Sequence, residues 1–199
     1  MSSRGTKAEK AQARKEEARR RKRQRRRLIS IAVALVIVVF VVFAATRPEP
    51  DELAAVEVIP NMGQGHLVQG EAPPDYNSNP PTSGRHASSS AECGIYVEEV
   101  SDVIQVHNLE HGTIVIQYRP DLPEPDRDAL QDYARTKSSH ILVAPRDGLE
   151  TAIAVTAWTR LLQQETVDLD TIDAFYNRFA RRGPEPGVPC PFTVDQSLG

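Results

Sequence analysis

The chain has 199 residues and a formal net charge of −3, but the charge is divided. Residues 1–27 carry thirteen Lys/Arg and three Asp/Glu, a surplus of about +10, and the remainder carries about −13. An acidic body of roughly 150 residues is long enough for one domain with its own core, and its charge excludes nucleic acid as a partner for that part.

Residues 1–27 read as a basic cytoplasmic tail. Residues 28–45, LISIAVALVIVVFVVFAA, contain one Ser and no charge. At 1.5 Å per residue the run covers roughly 27 Å, against a hydrocarbon core of about 30 Å. A segment apolar on every side is a membrane span rather than an amphipathic surface helix. RRRKRQRRR precedes it, so the N-terminus belongs in the cytoplasm and the rest of the chain outside. The expectation is a single-pass protein of the cell membrane whose tail contacts anionic lipid. A signal peptide cleaved near Ala44 is the competing reading. The long apolar run and long basic segment favour an uncleaved anchor.

Residues 46–60, TRPEPDELAAVEVIP, read as a linker with a helical turn around Asp51–Val56. Residues 61–199 are the predicted extracytoplasmic domain. Its first part, 61–92, is rich in Gly, Pro, Ser and Asn, yet holds His66, Tyr76, Pro80, Pro81 and His86. Low-complexity linkers seldom carry that mix, so an ordered irregular loop is predicted. Short strands are expected at 94–100 and 141–144, and 103–106 suits a strand or one helical turn. TIVIQY at 113–118 has the β-branched and aromatic composition of a strand. DRDALQDYARTK at 126–137 has helical spacing, with acids early and bases late. Residues 152–158 read as a strand and 160–164 as a helical turn. DLDTIDAFYNRFAR at 168–181 places Leu169, Ile172, Phe175, Tyr176 and Phe179 on one face, with Asp168 or Asp170 as the cap. The predicted fold class is α+β: a small, mainly antiparallel sheet with flanking helices, preceded by one transmembrane helix.

Cys93 and Cys190 are the two cysteines. Outside the cell they allow one intramolecular pairing, which would close a loop of nearly one hundred residues; the alternative is two unrelated thiols. All five histidines, His66, His86, His107, His111 and His140, fall in the outer part. On a helix, His107 and His111 share one face and are spaced to grip one ion. His86 or His66 would add a ligand from the loop, and zinc and copper both suit such donors. The bland alternative is a network of hydrogen-bonded histidines that serves only the fold, and His140 beside an apolar strand looks like that case. HNLEH also matches H-x-x-E-H, a zinc-hydrolase pattern in which the glutamate activates a bound water. That chemistry needs a sustained helix, and Gly112 followed by TIVIQY interrupts it. There is no G-x-S-x-G, Walker A, G-x-G-x-x-G or C-x-x-C motif.

YNSNPPTSGRH (76–86) and VHNLEHGTIVIQYRP (106–120) resemble the bacterial domain-of-unknown-function family 3105. ILVAPRDGL, IAVTAWTRLL and RFARRGPE are similar to further family positions, and the resemblance covers roughly residues 58 to 185. It implies an N-terminal membrane anchor and a signature formed by His66, Tyr76, Pro80, Pro81, Gly84, His86, His107, Glu110, His111, Gly112 and Trp158. It implies no established activity, so whether the protein is an enzyme stays open. ASSSAEC at 87–93 departs from a family stretch richer in aromatic residues, which weakens any reading based on aromatic stacking. The two motifs together favour one polar centre. In that reading His86, His107 and His111 bind a metal directly, His66 is a fourth ligand, and Glu110 and Tyr76 support them. A cell-envelope interaction domain with a protein partner is the alternative, and a metal-dependent hydrolase using Glu110 as base is a weaker one.

Overall fold

A computed structural model describes residues 53–198. The expected basic tail, the expected membrane segment and the first part of the linker lie outside the described residues. Among the described residues, no helix is long and apolar enough to cross a membrane.

The strands are β1 (Glu57–Val58), β2 (Cys93–Ile95), β3 (Ile114–Tyr118), β4 (Ile141–Pro145), β5 (Ile153–Ala157), β6 (Arg160–Gln164) and β7 (Phe192–Asp195). The helices are α1 (Asp102–Glu110), α2 (Glu124–Arg135) and α3 (Leu169–Phe179), and a 3-10 turn at Gln196–Leu198 follows β7. The α+β class holds, but the expected mainly antiparallel sheet is corrected. All seven strands form one mixed sheet, in the order β1-β6-β5-β3-β4-β2-β7. Three pairings are parallel (β2 with β4, β2 with β7, β3 with β4) and three are antiparallel. The physical reason is α2, which crosses from β3 to its neighbour β4 and forces the two to run the same way. The continuous apolar run ILVA of β4 is the composition of a central strand covered on both faces.

Both faces are indeed covered. Along β3, Ile114, Ile116 and Tyr118 join one core with Leu130 and Tyr133 of α2 and Ile172 and Phe175 of α3. Val115 points the other way, into a core with Leu142, Ala144 and Leu109 of α1. The chain passes from β2 through α1 to β3, then back through α2 to β4, which lies between them. Crossovers of one hand that reverse direction along a sheet place their helices on opposite faces. Hence α1 stands apart from α2 and α3, and shares its face with the irregular loop.

Three local expectations need adjusting. Residues 160–164 are the strand β6, not a helical turn, paired with β5 from Ala157↔Arg160 to Ile153↔Gln164. Trp158 and Thr159 alone make the connection, and Thr159 takes a positive φ of 60°. The strand expected at 94–100 shortens to Cys93–Ile95, and 103–106 belongs to α1. Around Asp51–Val56, the described part is a turn at residues 53–55, and β1 pairs Glu57 and Val58 with β6 inside the stretch read as linker. Elsewhere α2 begins two residues early, at Glu124, and α3 is capped by Asp168, whose side chain accepts from the Thr171 N–H at 3.2 Å.

Candidate metal centre

Each residue of HNLEHG has a separate task at the C-terminal end of α1. His107 and His111 are one helical turn apart on one face, as the 3.6-residue period requires. Leu109 turns into the core and is fully buried. Asn108 makes a reciprocal pair with Ala91, its Nδ2 donating to the Ala91 carbonyl at 2.8 Å and its Oδ1 accepting from the Ala91 N–H at 2.9 Å. The Ala87 N–H donates to the Val103 carbonyl at 3.0 Å. These bonds lay the loop along the helix. Gly112 takes a φ of 83° and releases the chain into β3.

The loop brings the other two histidines. The His86 N–H donates to Gly65 and the Leu67 N–H to His86, a short parallel bridge that sets His66 beside His86. The His66 ring stacks on His107 with centroids 5.1 Å apart, and the His86 ring meets His107 edge-on at 5.0 Å. His86 is fully buried, Glu110 is 2 % exposed, and His107 and His111 are 6 % and 9 % exposed. His66 is exposed.

Hydrogen bonds fix which nitrogens point inward. Nδ1 of His107 lies 2.7 Å from the Ala87 carbonyl and Nδ1 of His86 lies 2.8 Å from the Gly84 carbonyl. A carbonyl only accepts, so both Nδ1 atoms carry the proton and both Nε2 atoms turn inward. His107 Nε2 is 3.0 Å from His111 Nε2, and His86 Nε2 is 2.9 Å from Glu110 Oε2. In each pair, lone pairs face one another unless a proton or a metal ion lies between them. Two nitrogens on one zinc, at bonds of about 2.0–2.1 Å, stand about 2.9 Å apart at a right angle and about 3.4 Å apart at a tetrahedral one.

Two groups have donor atoms that all lie within 4.8 Å of one another: His66, His86 and His107; and His107, Glu110 and His111. Three points so spaced fit around a centre no more than about 2.8 Å away, and small side-chain rotations close the rest of the gap to a bond of about 2.1 Å. His107 belongs to both groups, so the two are overlapping candidate sets that share this imidazole. Burial, followed by repulsion from His107, pushes His111 below the ordinary imidazole value. Its ring therefore stays neutral, the form that ligates, to a lower pH.

The structure brings together His66, His86, His107, Glu110 and His111. Tyr76 is close by but does not meet the imidazoles: its hydroxyl donates to the Arg85 carbonyl at 2.8 Å and its ring packs against Gly84, so it shapes the loop that holds His86. Burial pushes its hydroxyl up to about 12. His140 has a separate role, with Nδ1 near Ser139 Oγ at 3.0 Å and Nε2 donating to the Val188 carbonyl at 3.1 Å. Trp158 meets the His86 ring edge-on at 6.4 Å. Glu185 escaped the sequence reading. Its Oε2 lies 3.8 Å from His111 Nε2, from a proline-rich stretch with no motif to single it out. Cys93 and Cys190 form the expected disulfide, with Cα atoms 5.5 Å apart.

Comparison with known proteins gives one result. The family model described as protein of unknown function (DUF3105) matches residues 68–191, a span that holds both loop and helix motifs except for His66. No curated protein and no solved structure matches the chain.

Proposed function

The chain belongs to this family of unknown function, and from the geometry of its histidines we propose that it binds one divalent transition-metal ion. His86, His107 and His111 are direct ligands, His66 is a fourth from the solvent side, and Glu110 either shares the ion or orients His86. One observation carries the reading: inward-facing Nε2 atoms of His107 and His111 meet at 3.0 Å beside the buried His86–Glu110 pair. A histidine kept only for the fold needs just its Nδ1 bond to the backbone. Gathering four imidazoles and a carboxylate, all but one of them buried, costs solvation that a central cation offsets. An all-nitrogen and oxygen donor set suits zinc and copper, and affinity rises toward copper(II).

The hydrolase reading has less support, because Glu110 faces His86 rather than an open position beside it. The interaction-domain reading remains the alternative if no ion binds. The setting we propose is the outer face of the cell membrane, with residues 28–45 as the anchor. The apolar run, the basic flank and a disulfide suited to an oxidising compartment support it.

The test is equilibrium dialysis of the full-length chain, purified in mild detergent, against zinc(II) and copper(II). Near one ion per chain is expected, and a His107→Ala/His111→Ala double variant that still folds should lose it. A folded wild type that takes up neither ion overturns the reading.

A further inference from the structure

Building on the metal-site reading, we propose that Glu185 is an outer ligand of the same ion, delivered by a backbone strap laid across the site. The strap is residues 181–190, between α3 and β7. Three backbone–backbone hydrogen bonds and one from the His140 ring hold it, and the disulfide holds its end. The Arg181 N–H donates to the Gly112 carbonyl at 2.7 Å and the Glu185 N–H to the Glu110 carbonyl at 3.0 Å. The His140 ring donates to Val188, and the His140 N–H to the Cys190 carbonyl at 2.8 Å. Cys190 is bonded to Cys93 on β2. Gly183 passes so close to α1 that a Cβ there would stand 2.0 Å from the Glu110 carbonyl oxygen.

These contacts fix the main chain on either side of Glu185 and leave its side chain 56 % exposed. Pro184 and Pro186 flank it and restrict the backbone further. A stiff backbone and a solvent-facing carboxylate describe a group placed for a purpose other than packing. Its Oε2 lies 3.8 Å from His111 Nε2. Two ligands of one ion, at bonds of about 2.0–2.1 Å, stand no more than about 4.2 Å apart. The 3.8 Å separation from His111 lies inside that limit, and rotation of the exposed Glu185 side chain brings its carboxylate toward an ion shared with His107 while the strap's main chain stays in place. The buried imidazoles hold the ion from below, and Glu185 closes it from the solvent side. With His66 it is one of the two exposed donors, so it yields before the buried imidazoles when the ion leaves.

The experiment is stopped-flow transfer of zinc(II) from the loaded full-length chain to a chelator, with the cobalt(II) absorption spectrum as a second readout. Glu185→Gln should still load one ion, release it at least about tenfold faster, and change the cobalt spectrum. Glu185→Asp should recover part of the retention. Unchanged melting of metal-free Glu185→Gln separates ligation from a fold effect. Wild-type release and an unaltered cobalt spectrum in Glu185→Gln would overturn this inference alone and leave the histidine site standing. A wild type that does not load would overturn both.

Discussion

At the scale of single residues, some contacts are too tight for substitution to be neutral. Gly183 is the sharpest. Its backbone lies against Glu110 and Gly112, so a methyl group must displace the strap or the end of α1. Gly183→Ala is expected to lower stability by about 1–3 kcal/mol, the usual cost of forcing atoms into a filled space, and thermal unfolding of the metal-free protein reads it. The histidines were legible in the sequence because two of them sat four apart with a helix-compatible stretch before them. His86 was legible through its loop motif. Glu185 was not: it is 74 positions from His111, and only the folded strap brings them together. The Tyr76 hydroxyl donates to the Arg85 carbonyl, a contact that its loop motif does not display.

At the scale of elements, the helices with strong periodicity and capping signals were legible and the hairpin was not. The α3 helix shows why. Asp168 accepts from both the Thr171 N–H and its hydroxyl, while Ile172, Phe175 and Tyr176 face the core. Asp168→Ala should cost about 1 kcal/mol, measured by chemical denaturation. The β5–β6 hairpin turns at Trp158-Thr159, which lacks the Asn-Gly or Asp-Gly signature of two-residue connections. RLLQQ, with its adjacent leucines, then reads equally well as a helical turn. Only its pairing with β5 on one side and β1 on the other decides in favour of a strand. The α1 helix was half legible. Its apolar positions are few, and much of what it buries is polar: Gln105, His107, Asn108 and Glu110. A helix that buries so much polar surface is positioned by specific bonds rather than by a hydrophobic stripe. At its start Arg146 of the β4–β5 connection binds Asp102 and Asn79, with Nη2 2.9 Å from the Asn79 oxygen.

At the scale of the molecule, composition revealed the α+β class, while the parallel pairings depended on crossovers that no local pattern displays. The Cys93–Cys190 disulfide spans 97 positions and joins the strap to β2. In the chain-entropy model a loop of that length contributes up to about 4.7 kcal/mol, so reduction should lower the melting temperature by a large margin. Acid should act through another set of long-range ties. Arg135 on α2 holds the Asp195 carboxyl of β7 below its ordinary value, and Lys137 does the same for Asp173 of α3. A carboxyl depressed in the folded state binds fewer protons than in the unfolded chain. Its contribution is therefore complete above the unfolded value near 3.9 and fades as pH falls through the folded one. Stability should decline below about pH 4, and Asp195→Asn should flatten that decline in unfolding curves taken across the range.

X-ray absorption at the metal edge of the loaded full-length chain reads the ligand shell of the proposed histidine site. The histidine site predicts three or more imidazole nitrogens at about 2.0–2.1 Å, with their outer-ring scattering, and a loss of imidazole scattering in the His107→Ala/His111→Ala variant. A shell of oxygen donors with one imidazole or none, unchanged in the variant, would contradict it.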